Sequence, residues 1–514
     1  MTLFQLTFFS LAVALVCRIL PRRLRWCLLL LSSCAFYCTR ALTGFPFLLL
    51  TGLTTFLSAL GIERIGQAGK ALLREQPGLS REEKKALRAR TARRQHVLLA
   101  LTLVLNFGIL CVLKYTDQIL GLTGASPLGL VLPLGISFYT FQAMSYLLDV
   151  SGGKVKAEHN PLRLFLFISF FPQLLQGPIS RHLDLAPQLE SPGDVDFSGM
   201  LRGLLLILWG LMKKLVLADR ALPAVAAIFD APSGTYGAQM TILGVLLYSL
   251  QQYCDFSGGI DLVTGIAELM GVHLTANFRR PYFAVSLADF WRRWHITLGA
   301  WMRDYVFYPF VLSRPMSSLS KSLKGRFPSL SRTLPAALGN ILVFLLVGLW
   351  HGATPNYLLW GLYNGVLLAI AAICEPLTKR LAPASPGRIL HVARVLRTFL
   401  IVNIGWFFDR AASGAAAFSM IRSALTDWRP GEMTASLLER CSLPVHDLTV
   451  LAIGTLLVFA ISLLSERGVD VRGRLVSLPL PLRWLVFLLG ILCIVIFGIW
   501  GSGFNEAAFI YYKF

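Results

Sequence analysis

The chain has 514 residues, of which 55% are hydrophobic and 15% charged, against about 25% charged in a soluble domain. Together with a mean hydropathy of +0.64, this excludes an ordinary soluble enzyme and, more firmly, a disordered chain. The net charge of +21, from 48 Lys+Arg against 27 Asp+Glu, fits the positive-inside bias and anionic headgroups, so no nucleic-acid partner is expected.

In chain order, apolar runs fall near 2–17, 26–38, 43–60, 96–113, 127–148, 162–176, 201–218, 240–254, 334–350, 356–374, 396–408, 446–464 and 484–500, with a weaker run at 258–272. A bilayer core needs about 20 apolar residues per helix. Lipid offers the backbone no partners, so each run is predicted helical; the strict alternation of a barrel is absent. The predicted class is an all-α polytopic membrane protein with about 11–14 membrane helices and re-entrant segments. The first run lacks a basic leader and is followed by Arg18, Arg22, Arg23 and Arg25. It reads as a retained span that starts outside.

Residues 63–94 hold ten basic and four acidic side chains, which places this stretch in the cytoplasm. The organisation expected is N-terminal membrane helices at 1–62, a basic cytoplasmic loop at 63–95, and core membrane helices at 96–275. A cytoplasmic or interfacial segment at 276–333, further core helices at 334–500 and an aromatic tail at 501–514 follow. Both termini then lie outside. The nine cysteines are scattered, with no pair or Cys/His cluster that suggests zinc or a disulfide framework.

Asp255 and Asp261 sit in an apolar stretch, where a carboxylate is costly and marks either a functional site or a fold-fixing ion pair. Arg279 and Arg280 are the counter-charges expected. From residue 287, Leu287, Trp291, Trp294, Leu298, Trp301 and Tyr305 recur every three or four positions, the pattern of one helix face. With Arg292, Arg293 and Arg303 off that face, an interfacial amphipathic helix is predicted. His295 shares the face of Trp291 and reads equally as a packing residue or as an acid or base. His351 lies between two strong spans, beside Trp350 and the small-residue turn Gly352-Ala353-Thr354-Pro355. An imidazole with an ordinary pKa of about 6.5 suits a general base there, and an interfacial histidine is the plainer reading. The tail FIYYKF is too apolar for a disordered end and is expected to fold back or dock a partner.

The linked motifs YCDFSGGIDL, NFRRPYF, DFWRRWHITLGAWMRDYVF, LWHGA with WGLYNG, and the terminal FIYYKF resemble the membrane-bound O-acyltransferases (MBOAT) in their bacterial branch. PLGISFYTFQAMSYLLDV and FPQLLQGPISR add to the resemblance. It implies a funnel of helices with His351 as catalytic histidine in a thin middle layer and His295 as the second family histidine. It also implies a tyrosine relay at Tyr511, with an extracytoplasmic SGNH-type transferase as partner and a polysaccharide as final acceptor. Asp255, Asp261, Asn277, Trp294, Trp350 and Asn364 are expected to support the site; Asn364 stands where the alginate branch often has a second histidine.

No permanently bound cofactor or metal is expected. The donor is an acyl thioester, acetyl-CoA or an acyl carrier protein, arriving from the cytoplasm, and Arg279, Arg280, Arg292 and Arg293 suit its anionic groups by charge. The setting implied is a bacterial cell membrane. The competing readings are D-alanyl transfer from a carrier protein, a glycan-precursor transporter, which would spread charges along several spans, and a non-catalytic scaffold.

Overall fold

A computed structural model describes residues 3–381 and 387–500. Among them every regular element is helical. By internal contacts the chain falls into two units: Met1–Gly203 with Val263–Thr275, and Leu204–Leu262 with the described residues from Ala276 onward.

The first unit opens with α1 (Leu3–Ile19), α2 (Arg22–Ala41), α3 (Phe45–Glu75) and α4 (Arg81–Thr123). The basic stretch 63–95 is therefore helical over most of its length, with only a short turn at 76–80. Its Arg, Lys, Glu and Ala content favours helix. Ser80 caps α4 in a capping box: its hydroxyl accepts from the Glu83 N–H, and the Glu83 carboxylate accepts from the Ser80 N–H. The two helices lie close where Gln95 donates to the Ile62 carbonyl at 2.9 Å.

Beyond them come α5 (Ile136–Ser151), α6 (Pro161–Ser169), α7 (Phe171–Gln176) and α8 (His182–Glu190). The apolar run at 127–148 becomes helical only from Ile136. The run at 162–176 breaks at Phe170. Pro172 has no N–H to bond the turn before it, and its ring would meet the carbonyl four residues back.

The helix α9 (Phe197–Leu211) leads into a seven-residue π-helical segment, Met212–Ala218, and then into α10 (Asp219–Phe229). The 32-residue α11 (Ala238–Leu269) gives residues up to Leu262 to the second unit. The short helices α12 (Leu287–Arg293), α13 (Ile296–Met302), α14 (Tyr308–Val311) and α15 (Arg314–Leu323) follow. The remaining helices are α16 (Pro328–His351), α17 (Pro355–Leu381), α18 (Arg388–Arg410), α19 (Gly414–Thr426), α20 (Ala435–Arg440), α21 (Val445–Glu466), α22 (Val471–Val476) and α23 (Leu480–Phe497).

Seven helical stretches among the described residues are long and apolar enough to cross a membrane. They are Arg22–Glu75, Arg81–Gly121, Pro328–His351, Pro355–Thr378, Arg388–Arg410, Val445–Glu466 and Leu480–Phe497. The large exposed apolar side chains include Leu456, Phe459, Leu488 and Val495 on α21 and α23. A soluble protein would bury such a surface, whereas lipid tails accept it without penalty.

Two sequence expectations need correction. The aromatic stripe from 287 does not lie on one continuous helix. The chain breaks at Trp294 and His295, where His295 adopts φ +46°, and resumes as α13 before a π-helical turn at Arg303–Phe307. Nor does the stripe lie open as an interfacial face, for Trp294, Leu298 and Trp301 are buried in the protein. The second correction concerns the carboxylates. Asp261 pairs with Lys213 at 2.7 Å, and Asp255 pairs with Lys214 at 2.5 Å; Arg280 instead pairs with Glu466 at 2.5 Å. Lys214 also holds Asp219 at 2.8 Å, and Lys213 donates to the Ser257 hydroxyl at 2.8 Å.

Glycine permits this clustering. A Cβ on Gly210 would lie 2.5 Å from the Gly258 carbonyl oxygen and 2.7 Å from the Leu262 nitrogen. The backbones therefore touch, and both lysines reach the carboxylates of α11.

Candidate active site

His351 is the last residue of α16, and α17 begins four residues later at Pro355. Pro355 suits a first helical position, where its missing N–H has no partner to lose. The two helices pack backbone to backbone. A Cβ on Gly348 would fall 2.3 Å from the Tyr357 carbonyl oxygen, and one on Gly361 would fall 2.4 Å from that of Phe344. This contact brings Tyr357 and Trp360 of α17 against the His351 ring, at centroid distances of 5.6 and 5.1 Å. Trp350 lies on another side at 5.1 Å.

His295 enters from a different part of the chain. Its ring meets Phe256 edge-on at 4.8 Å and lies 6.0 Å from Trp350. Trp350 is thus shared by both histidines. The ring packing continues through Trp294, which stacks on Phe290 at 5.5 Å and contacts Phe278 at 5.0 Å and Trp406 at 5.4 Å. Such pairs contribute about 0.5–1.5 kcal/mol each beyond area burial. The cluster gives the site a rigid wall.

His295 and His351 line a single cavity of about 490 Å³, together with Trp291, Trp294, Trp360 and Gln252. The histidines are 4% and 6% exposed. Two further lining residues, Arg292 and Arg303, have side chains 71% and 57% exposed. The cavity therefore has an apolar, histidine-bearing interior and a rim carrying arginine. Burial pushes the His295 imidazole below its ordinary range, which keeps it neutral.

The four arginines expected to bind the donor separate into two kinds. Arg293 is tied to Glu466 at 3.0 Å and to Asp289 at 3.1 Å, and Arg280 to the same Glu466. Those two fasten the end of α21 to the segment bearing the site. Arg292 lines the cavity, and Arg279 is exposed and gives its backbone N–H to the Arg293 carbonyl at 2.9 Å. Arg303, outside the expected set, is the second arginine at the rim.

Asn364 accepts from the Trp291 indole N–H at 3.2 Å and donates to the Trp360 carbonyl at 2.9 Å. It fixes two cavity walls. Asn277 accepts from the Thr297 N–H at 3.1 Å and the Thr297 hydroxyl at 2.9 Å. Asp255 and Asp261 belong to the buried ion cluster with Lys213 and Lys214 and do not line the cavity. Sequence reasoning missed those lysines. The signal was present as a Lys-Lys pair inside the apolar run 201–218. Tyr511 lies outside the described residues.

A buried pair of histidines in a cavity with a basic rim, one of them at the end of a helix long enough to cross a bilayer, defines a class of membrane protein able to hold an anionic substrate and move a proton. The family model for MBOAT, the membrane-bound O-acyltransferase family, matches residues 90–408. The Pseudomonas aeruginosa protein named "probable alginate O-acetylase AlgI" is 33% identical over 84% of this chain and 74% of its own. A peptidoglycan O-acetyltransferase of Helicobacter pylori is 31% identical over 63% of this chain and 64% of its own. A teichoic acid D-alanyltransferase of Bacillus subtilis is 30% identical over 55% and 69%. The chain belongs to the membrane-bound O-acyltransferase family. It is a multi-pass membrane protein and an O-acyltransferase by family.

Proposed function

We propose that this chain moves an acetyl group from a cytoplasmic thioester donor, acetyl-CoA or an acyl carrier protein, toward a cell-envelope or secreted polysaccharide. The observation that carries this reading is the meeting of His351 and His295 in one cavity rimmed by Arg292 and Arg303. The rim suits an anionic donor by charge. Acetyl is favoured over D-alanyl because the relative named as an O-acetylase matches 84% of the chain, against 55% for the D-alanyltransferase.

In this mechanism His351 removes the proton of the acceptor hydroxyl, whose oxygen attacks the thioester carbonyl. The carbon–sulfur bond breaks, and the departing thiolate takes the proton from His351. Where the first acceptor is Tyr511, its phenol of pKa about 10 ionises more easily than a sugar hydroxyl. The aryl ester then passes the acetyl group to an SGNH-type transferase outside the membrane. The setting proposed is the bacterial cell membrane, with both termini outside.

The test is mild-base release of acids from the envelope of wild-type, deletion and complemented strains. Acetate lost on deletion and restored by the wild-type gene supports the reading. Loss of D-alanine moves the donor and acceptor to the teichoic branch. No change in any released acid overturns the proposal.

A further inference from the structure

The hydrogen-bond pattern at Asn277 determines which nitrogen of His295 carries the proton. The side-chain atom of Asn277 that faces Thr297 lies 3.1 Å from a backbone N–H, which can only donate, so that atom is the amide oxygen Oδ1. The Thr297 hydroxyl also reaches this oxygen, at 2.9 Å. The Nδ1 of His295 lies 3.2 Å from the same Oδ1. A carbonyl oxygen has no hydrogen to give, so Nδ1 must be the donor. A neutral imidazole has one N–H, and Nε2 is therefore the ring's acceptor.

The backbone supports the same arrangement. His295 sits in the left-handed region at φ +46° and ψ 52°, a conformation that a non-glycine residue holds only where its surroundings impose it. Here two reciprocal bonds pin it: the Ile296 N–H gives to the Asn277 carbonyl at 3.0 Å, and the Arg279 N–H gives to the Arg293 carbonyl at 2.9 Å. Asn277 is 1% exposed, so water does not replace it. The ring neighbours Phe256 and Trp350 are uncharged. The ionisable groups that share the cavity are Tyr308, His351 (whose ring also packs against Trp350), and Arg292 and Arg303 at the rim.

We infer that Asn277 is a positioning residue that fixes His295 as the Nδ1–H tautomer and so makes His295 a hydrogen-bond acceptor in the cavity, suited to an O–H or N–H group of the substrate. In this state His295 cannot donate to a developing oxyanion. The two histidines are thereby separated in role: His351 moves the proton, and His295 orients a donor group. The division of roles rests on the acyl-transfer reading above; the tautomer does not.

The experiment is nitrogen-15 NMR of the full chain in lipid vesicles, with histidine labelled and the His295 ring identified by its loss in His295→Gln. The wild type is expected to show Nδ1 protonated and Nε2 bare at neutral pH; a proton on Nε2, or on both nitrogens, overturns the inference. In Asn277→Asp the carboxylate keeps the Thr297 bonds and adds a negative charge beside Nδ1. That ring is expected to take up its second proton about one to three pH units higher than in the wild type; an unmoved titration overturns the positioning role. In acetyl transfer, Asn277→Leu is expected to lower kcat with KM for the donor unchanged, and equal loss in His295→Gln ties the effect to that ring. If wild-type membranes transfer no acyl group while the tautomer is as stated, the acyl-transfer reading falls and the assignment of the proton stands.

Discussion

The buried ion cluster of the second unit makes a graded claim about stability. Lys214 is 3% exposed in its side chain, and its partners Asp255 and Asp219 are 3% and 4% exposed. Removing the lysine leaves two carboxylates buried without their cation, a change that costs about 3–5 kcal/mol when one partner of a buried pair is lost. Lys213 is as buried, but its partner Asp261 is 26% exposed and can recover water. Its removal resembles the loss of charged hydrogen bonds, about 1.5–3 kcal/mol. Lys214→Met is therefore expected to destabilise more than Lys213→Met, by about 2 kcal/mol on these figures. The double change Lys213→Met with Asp261→Asn is expected to be milder than Lys213→Met alone, because no lone charge remains. The assay is the unfolding free energy of the full chain in lipid bicelles. A Lys214→Met protein within about 1 kcal/mol of wild type, or a Lys213→Met protein that is the less stable of the two, would refute the reasoning.

Other outcomes follow from single contacts. Gly348→Ala puts a Cβ 2.3 Å from the Tyr357 carbonyl oxygen; by forcing α16 and α17 apart it is expected to cost about 1–3 kcal/mol and to lower acyl transfer, both measured on membranes with matched protein levels. Arg292→Ala is expected to raise KM for the donor with kcat little changed, and the effect should shrink as salt is added; a salt-independent loss of kcat contradicts a rim contact. Ser80→Ala removes the hydroxyl that accepts the Glu83 N–H, so amide exchange at the start of α4 is expected to accelerate at neutral pH with acyl transfer unaffected; unchanged exchange would contradict the cap.

Much of this was legible in the residues themselves. The apolar runs predict helices, whereas the basic stretch 63–95, expected as a loop, is largely helical, with Ser80 and Glu83 capping α4. Asp255 and Asp261 stood out as carboxylates in an apolar setting. What the linear order did not carry was pairing. Lys213 and Lys214 looked like polar residues within a span, and only the close approach at Gly210 and Gly258, with the π-helical turn, points both at α11. The break at His295 had no glycine or proline to announce it. It is imposed from outside the segment by Asn277, which is why the regular aromatic spacing suggested an unbroken helix. The meeting of His295 and His351 likewise depends on long-range packing, in which Trp350 touches both rings.

The central claim is that His351 is the base of an acyl transfer. The most direct measurement is the transfer of radiolabelled acetyl from acetyl-CoA into envelope polymer by membranes carrying wild-type or His351→Ala protein at equal abundance. The account expects transfer by the wild type and a loss of about 10²–10⁴-fold in the variant, the contribution of a positioned general base. Full transfer by His351→Ala would contradict it.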